Sequence, residues 1–190
     1  MMYCVKKLCA AIIVPLILTA CGGGTTAECH KEYWDGTVGV CLPKGWTVIE
    51  QETLRQRGVA GDTIVAFQAS EAVSGQFPTV TVTREALAQV ATALNYSDAN
   101  IRSVSVLPMY ELIDSTSMSI DADTVNLHIF TAQPVSDEPA RRFYQVSTVA
   151  NGIGYTVTSA VPVSVKDSIE KEIISILQST TFEEEVEEEE

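Results

Sequence analysis

The sequence predicts an α+β domain in which an antiparallel sheet is flanked by helices. Two stretches with period-two alternation, residues 118–129 and 143–161, each contain a central tight turn and therefore predict antiparallel hairpins. Two others, residues 84–95 and 164–177, place apolar side chains at helical spacing. Hairpin-linked strands with segregated helices are typical of the α+β class.

The first half of the chain predicts three short strands and then a helix. Residues 45–50, 62–69 and 79–83 are rich in β-branched or aromatic side chains, and the third stretch alternates strictly. The period then becomes helical over 84–95. The following stretch, 104–113, is expected to be extended. Pro108 cannot donate a ladder hydrogen bond, so it either confines this stretch to a sheet edge or interrupts it.

The second half predicts two hairpins and a closing helix. The first hairpin turns at residues 121–123, and the second turns at Asn151-Gly152, a dipeptide that suits a tight hairpin loop. Ser164 and Asp167 resemble a capping box, which predicts that the last helix begins here and ends near Leu177.

The N-terminal segment has the pattern of an exported protein. Two lysines precede a short apolar run, which is too short for the roughly 20 residues that a membrane span needs. The run ends in Leu18-Thr19-Ala20-Cys21, which resembles the lipobox of bacterial lipoproteins. This resemblance implies that cleavage precedes Cys21 and that Cys21 carries a lipid anchor. The alternative is a plain secretory signal that leaves Cys21 as an ordinary thiol.

These features divide the chain into four expected parts. Residues 1–20 are a lipoprotein signal peptide, 21–28 a lipid-anchored flexible tether, 29–182 a single globular domain and 183–190 a disordered acidic tail. The anchor predicts a location in the bacterial cell envelope. Because residue 22 is glycine and not the aspartate that resembles an inner-membrane retention signal, the outer membrane facing the periplasm is expected.

Charge excludes one class of partner. The chain has 12 Lys+Arg against 25 Asp+Glu, a net charge of −13, and seven of the acidic residues are the glutamates of 183–190. Losing Lys6 and Lys7 with the signal leaves 10 basic residues against 25 acidic ones, or −15. A surface of this sign repels the phosphate backbone, so nucleic-acid binding is not expected.

Two cysteines remain after Cys4 and Cys9 leave with the signal and Cys21 is acylated. Cys29 and Cys41 are expected to form a disulfide, because the envelope is oxidising. Closing a loop of this size contributes about 3 kcal/mol in the chain-entropy model.

The alternative for these cysteines is a metal site that adds His30 and His128 as ligands. Adjacent ligands at positions 29 and 30 do not match the spacing of zinc sites, so no metal is expected. Asp121 and Asp123 share a turn that could bind calcium. Their loop lacks the central glycine and distal glutamate of a helical calcium loop, which favours a simple hairpin turn.

Two motifs in the sequence resemble those of proteins with the PsbP-like fold, a group that includes the photosystem extrinsic protein and the DcrB-type bacterial lipoproteins. They are Pro43-Lys44-Gly45-Trp46 at the start of the first strand and Gly154-Tyr155-Thr156-Val157-Thr158 late in the antiparallel run. The order of elements over about residues 41–182 is also similar. The resemblance implies an α/β/α sandwich and a non-enzymatic accessory role, and it implies no cofactor.

Few residues are candidates for a functional site. His128 alternates with apolar neighbours and is expected on the solvated, polar face of its strand, where it has no evident catalytic role. No Gly-x-Ser-x-Gly motif occurs. Tyr33 and Trp34 lie inside the expected disulfide loop and are candidates for an interface, since pinned aromatic side chains make good contacts. The alternative is that Trp34 simply covers the sheet.

Three functions follow from these features. The first is a lipid-anchored, non-enzymatic accessory or binding module with a protein partner in the envelope. The second is a carrier that holds an apolar small ligand between helix and sheet. The third is a hydrolase, which would require His128, an acidic residue and a hydroxyl group to converge in one cleft.

The anchor is testable with one substitution. Cys21→Ser removes the thiol that would form the thioether, so we expect no palmitate incorporation and an uncleaved precursor in the producing bacterium. Metabolic labelling with palmitate and gel mobility measure the two effects. Cys41→Ser is the control, because it removes a cysteine of the domain and should leave labelling intact. Labelling and processing that survive Cys21→Ser would contradict the anchor.

Overall fold

The computed structural model describes residues 27–182, which form nine strands and three helices. The signal segment 1–20, Cys21 and the tail 183–190 lie outside the described residues. The strands are β1 Lys31–Trp34, β2 Gly39–Leu42, β3 Trp46–Ile49, β4 Thr63–Ala69, β5 Thr79–Ala86, β6 Glu111–Ile120, β7 Asp123–Ala132, β8 Arg141–Ala150 and β9 Ile153–Pro162. The helices are α1 Gln51–Gln56, α2 Ala93–Val104 and α3 Asp167–Gln178.

The main sheet has seven strands in the order β3-β4-β5-β9-β8-β7-β6, and every neighbouring pair is antiparallel. β1 and β2 form a separate hairpin. The predicted hairpins are confirmed: Asp121 and Asn151 both adopt positive φ at the turns that join β6 to β7 and β8 to β9. Within residues 27–182 no helix is long and apolar enough to cross a membrane.

One face of the sheet is largely apolar, because large hydrophobic side chains occupy most of the alternate positions of its central strands, with Thr148 and Ser159 as polar exceptions. α3 and the β1–β2 hairpin cover this face with Ile173, Ile176, Leu177 and Leu42, all fully buried. Burying a side chain of this size contributes about 1.5–3 kcal/mol. The sheet residues beneath them are Val65, Phe67, Val80, Val82, Leu127, Ile129, Val146 and Val157.

The opposite face carries hydroxyl and amide side chains and is covered in part by α1 and α2. Leu54 of α1 packs against Ile49 and Ala66 at one end of the face. Tyr96 of α2 lies over Gly154, and its hydroxyl is 3.5 Å from Oγ1 of Thr156. The sheet therefore lies between two helical layers, and the predicted α+β class with its sandwich architecture is confirmed.

The helix predicted over residues 84–95 is wrong in position. β5 continues to Ala86 by pairing with β9, and α2 begins only after Thr92, whose side chain accepts a hydrogen bond from the Asn95 amide. The buried side of α2 consists of Ala93, Tyr96 and Ser97, because this helix packs on a polar face. It therefore has no apolar stripe that a periodicity search would find.

Three other differences are local. The predicted extended stretch 104–113 contains the end of α2 and a turn before β6 begins. The closing helix is confirmed, but its N-cap is Lys166 and no side chain caps it, so the Ser164 capping box is wrong. α1 and the β1–β2 hairpin were not predicted, since each has too few residues for a readable period.

Both ends of the described chain attach to the α3 side. Ser175 of α3 donates a hydrogen bond to the carbonyl of Ala27. At the other end, Thr181 exchanges backbone hydrogen bonds with Gly39, and the amide of Phe182 donates to the carboxylate of Asp121 in the β6–β7 turn.

The fit of Tyr96 on Gly154 is testable. A Cβ at residue 154 would lie 2.5 Å from the Tyr96 ring, so Gly154→Ala should push α2 off the sheet and cost about 1–3 kcal/mol of unfolding free energy. Gly61→Ala is the control, because a Cβ there meets nothing within 4 Å, and it should change stability by less than about 0.5 kcal/mol. Urea unfolding of both variants measures the effect. Equal stability of the two variants would show that the close contact does not hold α2.

Candidate functional site

The predicted interface aromatics lie on the β1–β2 hairpin. The structure places Cys29 and Cys41 at disulfide distance, with Cα atoms 5.5 Å apart. Tyr33 packs edge-on against Phe67, with ring centroids 5.4 Å apart, so most of its ring belongs to the core. Trp34 is 39% exposed and contacts Gly39. Trp34 is therefore the member of this pair that a partner could reach.

A solvent-open groove of about 480 Å³ lies on the polar face of the sheet. Its lining residues are Gln68, Gly75, Gln76, Phe77, Thr79, Thr81, Arg141, Thr158 and Ala160. Several polar groups in this groove already have partners. The Thr81 hydroxyl donates a hydrogen bond to the Thr158 carbonyl, and Nη2 of Arg141 forms an ion pair with Oε2 of Glu138 at 2.6 Å. A polar groove of this kind does not favour an apolar ligand.

His128 is buried, which corrects the expectation of a solvated side chain. It lies on the predicted face, but Tyr110 covers it, and only 2% of the residue is exposed. The Tyr110 hydroxyl and Nε2 of His128 are 2.9 Å apart, and the ring of Phe130 lies tilted against the imidazole with ring centroids 5.0 Å apart. Burial lowers the pKa of His128, because desolvation disfavours the charged imidazolium. The histidine is therefore neutral at pH 7.

The surroundings of His128 do not resemble a hydrolytic site. Its hydrogen-bond partner is a phenol, and its neighbours on the adjacent strands are Ser115 and Gln145. A Ser-x-x-Lys motif was not expected in this chain, but one occurs, Ser168 to Lys171, and it lies exposed on α3. Neither arrangement brings a nucleophile, a base and an orienting acid together.

The acidic turn of residues 121–123 holds the C-terminal end of the described chain. Oδ1 of Asp121 accepts a hydrogen bond from the Thr181 hydroxyl at 2.5 Å, and Oδ2 accepts from the Phe182 amide at 3.1 Å. These contacts favour the hairpin-turn interpretation over a calcium loop. In the part of the chain that the structure describes, no three His, Cys, Asp or Glu residues lie close enough to share a metal ion.

The edge strand β6 is the surface most open to a partner. It pairs with β7 on one side, and among the described residues it has no strand on the other. Residues 111–117 are all exposed. Apolar side chains continue this surface from the end of α2: Met109 is 68% exposed and Leu112 is 52% exposed. Ile113 is also exposed and is the extra residue of a β-bulge.

The two sheet edges differ in how they are protected. β3 at the other edge has only four residues and leads directly into α1. β6 has ten residues, and its protection consists of the bulge and the charges of Glu111 and Asp114. Pro108 was expected to confine the stretch 104–113 to an edge or to interrupt it, and it lies in the turn that precedes β6. The length of the exposed strand and the exposed apolar side chains before it were not predicted. Because residues 111–117 are all exposed, their sequence does not alternate between apolar and polar residues, and the usual signal of a strand is missing.

Comparisons with known proteins identify the fold. The chain resembles the solution structure of the cyanobacterial PsbP of Synechocystis sp. PCC 6803 (CyanoP), with 17% identity and a TM-score of 0.54 over 87% of this chain and 99% of that one. It also resembles LpqN of Mycobacterium tuberculosis, which is involved in cell envelope biogenesis, with 10% identity and a TM-score of 0.53 over 76% of this chain and 82% of LpqN.

A protein of unknown function from Pseudomonas aeruginosa has 13% identity and a TM-score of 0.51 over 78% of this chain and 94% of its own. The sequence matches no protein-family model and no curated protein. These similarities show that the chain has a PsbP-like fold, as the two sequence motifs implied.

The buried histidine predicts a pH dependence of stability. In the unfolded chain the pKa of a histidine is about 6.5, and in the folded protein the pKa of His128 is lower. Acidification therefore protonates the unfolded state first. The native state should therefore lose stability as the pH falls below about 6.5. His128→Gln keeps a hydrogen-bonding side chain without the titration, and it should lose less stability between pH 7.5 and pH 5. Urea unfolding at both pH values measures this. The same loss in both proteins would contradict the effect.

Proposed function

We propose that the mature protein is a lipid-anchored, non-enzymatic accessory protein of the bacterial envelope that binds a protein partner through the β6 edge. The observation that carries this proposal is the run of exposed residues 111–117 on a ten-residue edge strand, with the exposed side chains of Met109 and Leu112 at one end. The bulge and the two charges protect only the first residues of this edge, and a long exposed edge strand is a ready template for pairing with another chain. Exposed apolar side chains next to it support the same interpretation.

The location follows from the lipobox resemblance and not from the fold. Cys21 would attach the protein to a membrane, most simply the outer membrane facing the periplasm, because residue 22 is glycine. LpqN, whose fold is similar, is involved in cell envelope biogenesis, and this supports an envelope role by analogy alone. Trp34 on the hairpin offers a second, smaller contact.

Site-specific photo-crosslinking in the producing bacterium tests the proposal. A benzophenone side chain replaces Leu112 in one variant, Trp34 in a second and Val59 in a third, since all three residues are exposed. We expect a discrete adduct of higher mass from position 112, at most a weaker one from position 34, and none from the control at 59. Adducts of equal intensity at 112 and 59, or none at 112, would contradict a partner at the β6 edge.

A further inference from the structure

The charge around the β6 edge indicates the chemistry of the partner. Residues 103–140 contain no Lys or Arg. They contain six acidic residues, which are Glu111, Asp114, Asp121, Asp123, Asp137 and Glu138. The histidine in this stretch is buried, and its lowered pKa keeps it neutral. Glu138 is paired with Arg141 at 2.6 Å, and the other five carboxylates keep the segment that carries the edge net anionic, whereas protein surfaces usually intersperse both signs.

The last described residue contacts the same segment. Phe182 donates its backbone amide to Asp121, so the described chain ends beside the turn that follows β6. Seven glutamates come after Phe182 in the sequence.

We propose that β6 accepts an extended, cationic segment of a partner protein as an eighth strand of the sheet. This inference rests on the proposed function and specifies its partner. The regular part of β6 after the bulge, residues 114–120, is long enough to pair with about six residues of a second strand. Backbone hydrogen bonds to β6 supply the attachment, and Lys or Arg side chains of the partner meet the acidic residues. Apolar side chains near the start of the added strand contact Met109 and Leu112.

A second copy of this chain is a poorer occupant. Pairing two β6 edges would bring two anionic segments together, each with Glu111 and Asp114 near one end and Asp121 near the other. Like charges at this range are destabilising, and low ionic strength would make the repulsion stronger. The tail 183–190 of the same chain is excluded as an occupant for the same reason.

The test uses the mature chain from residue 21 with Cys21→Ser and two synthetic peptides. One peptide is Lys-Val-Lys-Val-Thr-Val-Lys, and the control replaces each Lys with Glu. We expect the basic peptide to bind in fluorescence anisotropy, to weaken as salt rises, and to slow amide hydrogen exchange at every second residue of 114–120. Alternation is expected because successive amides of a strand point to opposite sides. The acidic peptide should not bind.

Two charge-matched variants isolate the site. Glu111→Lys with Asp114→Lys should weaken the basic peptide about tenfold or more, because it reverses the charge at the edge. Glu52→Lys with Glu71→Lys changes the net charge equally on α1 and the β4–β5 loop, and it should have a smaller effect. Equal weakening by both variants, or exchange protection at Gln68 and Thr81 in the groove, would overturn the proposal.

Two further results distinguish between the possible occupants of the β6 edge. Protection of β6 in the protein alone, together with a dimer in sedimentation, would show that a second copy occupies the edge, and the proposal would be wrong. A crosslink at position 112 in cells, without strand-type protection by the basic peptide, would keep the proposed function and overturn the cationic strand. No crosslink at 112 would overturn the proposed function itself.

Discussion

The alternation of side chains across β5, β8 and β9 is the constraint on which the other elements depend. Val82, Val146 and Val157 point to one face of the sheet, while Thr81, Gln145 and Thr158 point to the other. A one-residue shift in any of these pairings would exchange the two faces of that strand. α3 can therefore pack only on the valine side, with Ile173 and Leu177 fully buried there. The hydroxyl side is covered by α2, whose buried residues are Ala93, Tyr96 and Ser97, and at one end by Leu54 of α1.

The same alternation explains what the sequence could predict. β8, β9 and the Asn151 turn were read correctly, because period-two patterning and a tight-turn dipeptide are both local signals. The helix α2 was predicted at the wrong position, because a helix that packs on a polar face has no apolar stripe. Leu87 and Val90 happen to have helical spacing and indicated a helix where there is none. Val90 is in fact fully exposed. The two motifs quoted for the PsbP-like fold, together with the order of elements, predicted the architecture correctly.

The surroundings of individual residues were harder to predict. The face of His128 was correct, but its burial depends on Tyr110, which is 18 residues earlier and lies over the imidazole. The pattern of residues within β7 could not predict this contact, because Tyr110 lies outside the strand. Tyr33 is a similar case: its place in the expected disulfide loop indicated display, whereas its ring packs on Phe67. The position of β6 at an edge is set by the order of the strands in residues 27–182, and this order cannot be read from the sequence of β6 itself.

The contact between Ala27 and Ser175 has a consequence for how the protein meets its surroundings. Six peptide links separate residue 21 from Ala27, and they span at most about 22 Å when fully extended. A lipid on Cys21 would therefore keep α3 within that distance of the bilayer and restrict the domain to a thin layer of the periplasm. A partner anchored in the same membrane would share this layer. Its effective concentration would then be far above its average in the compartment, so a modest affinity at one strand could suffice for a lasting complex.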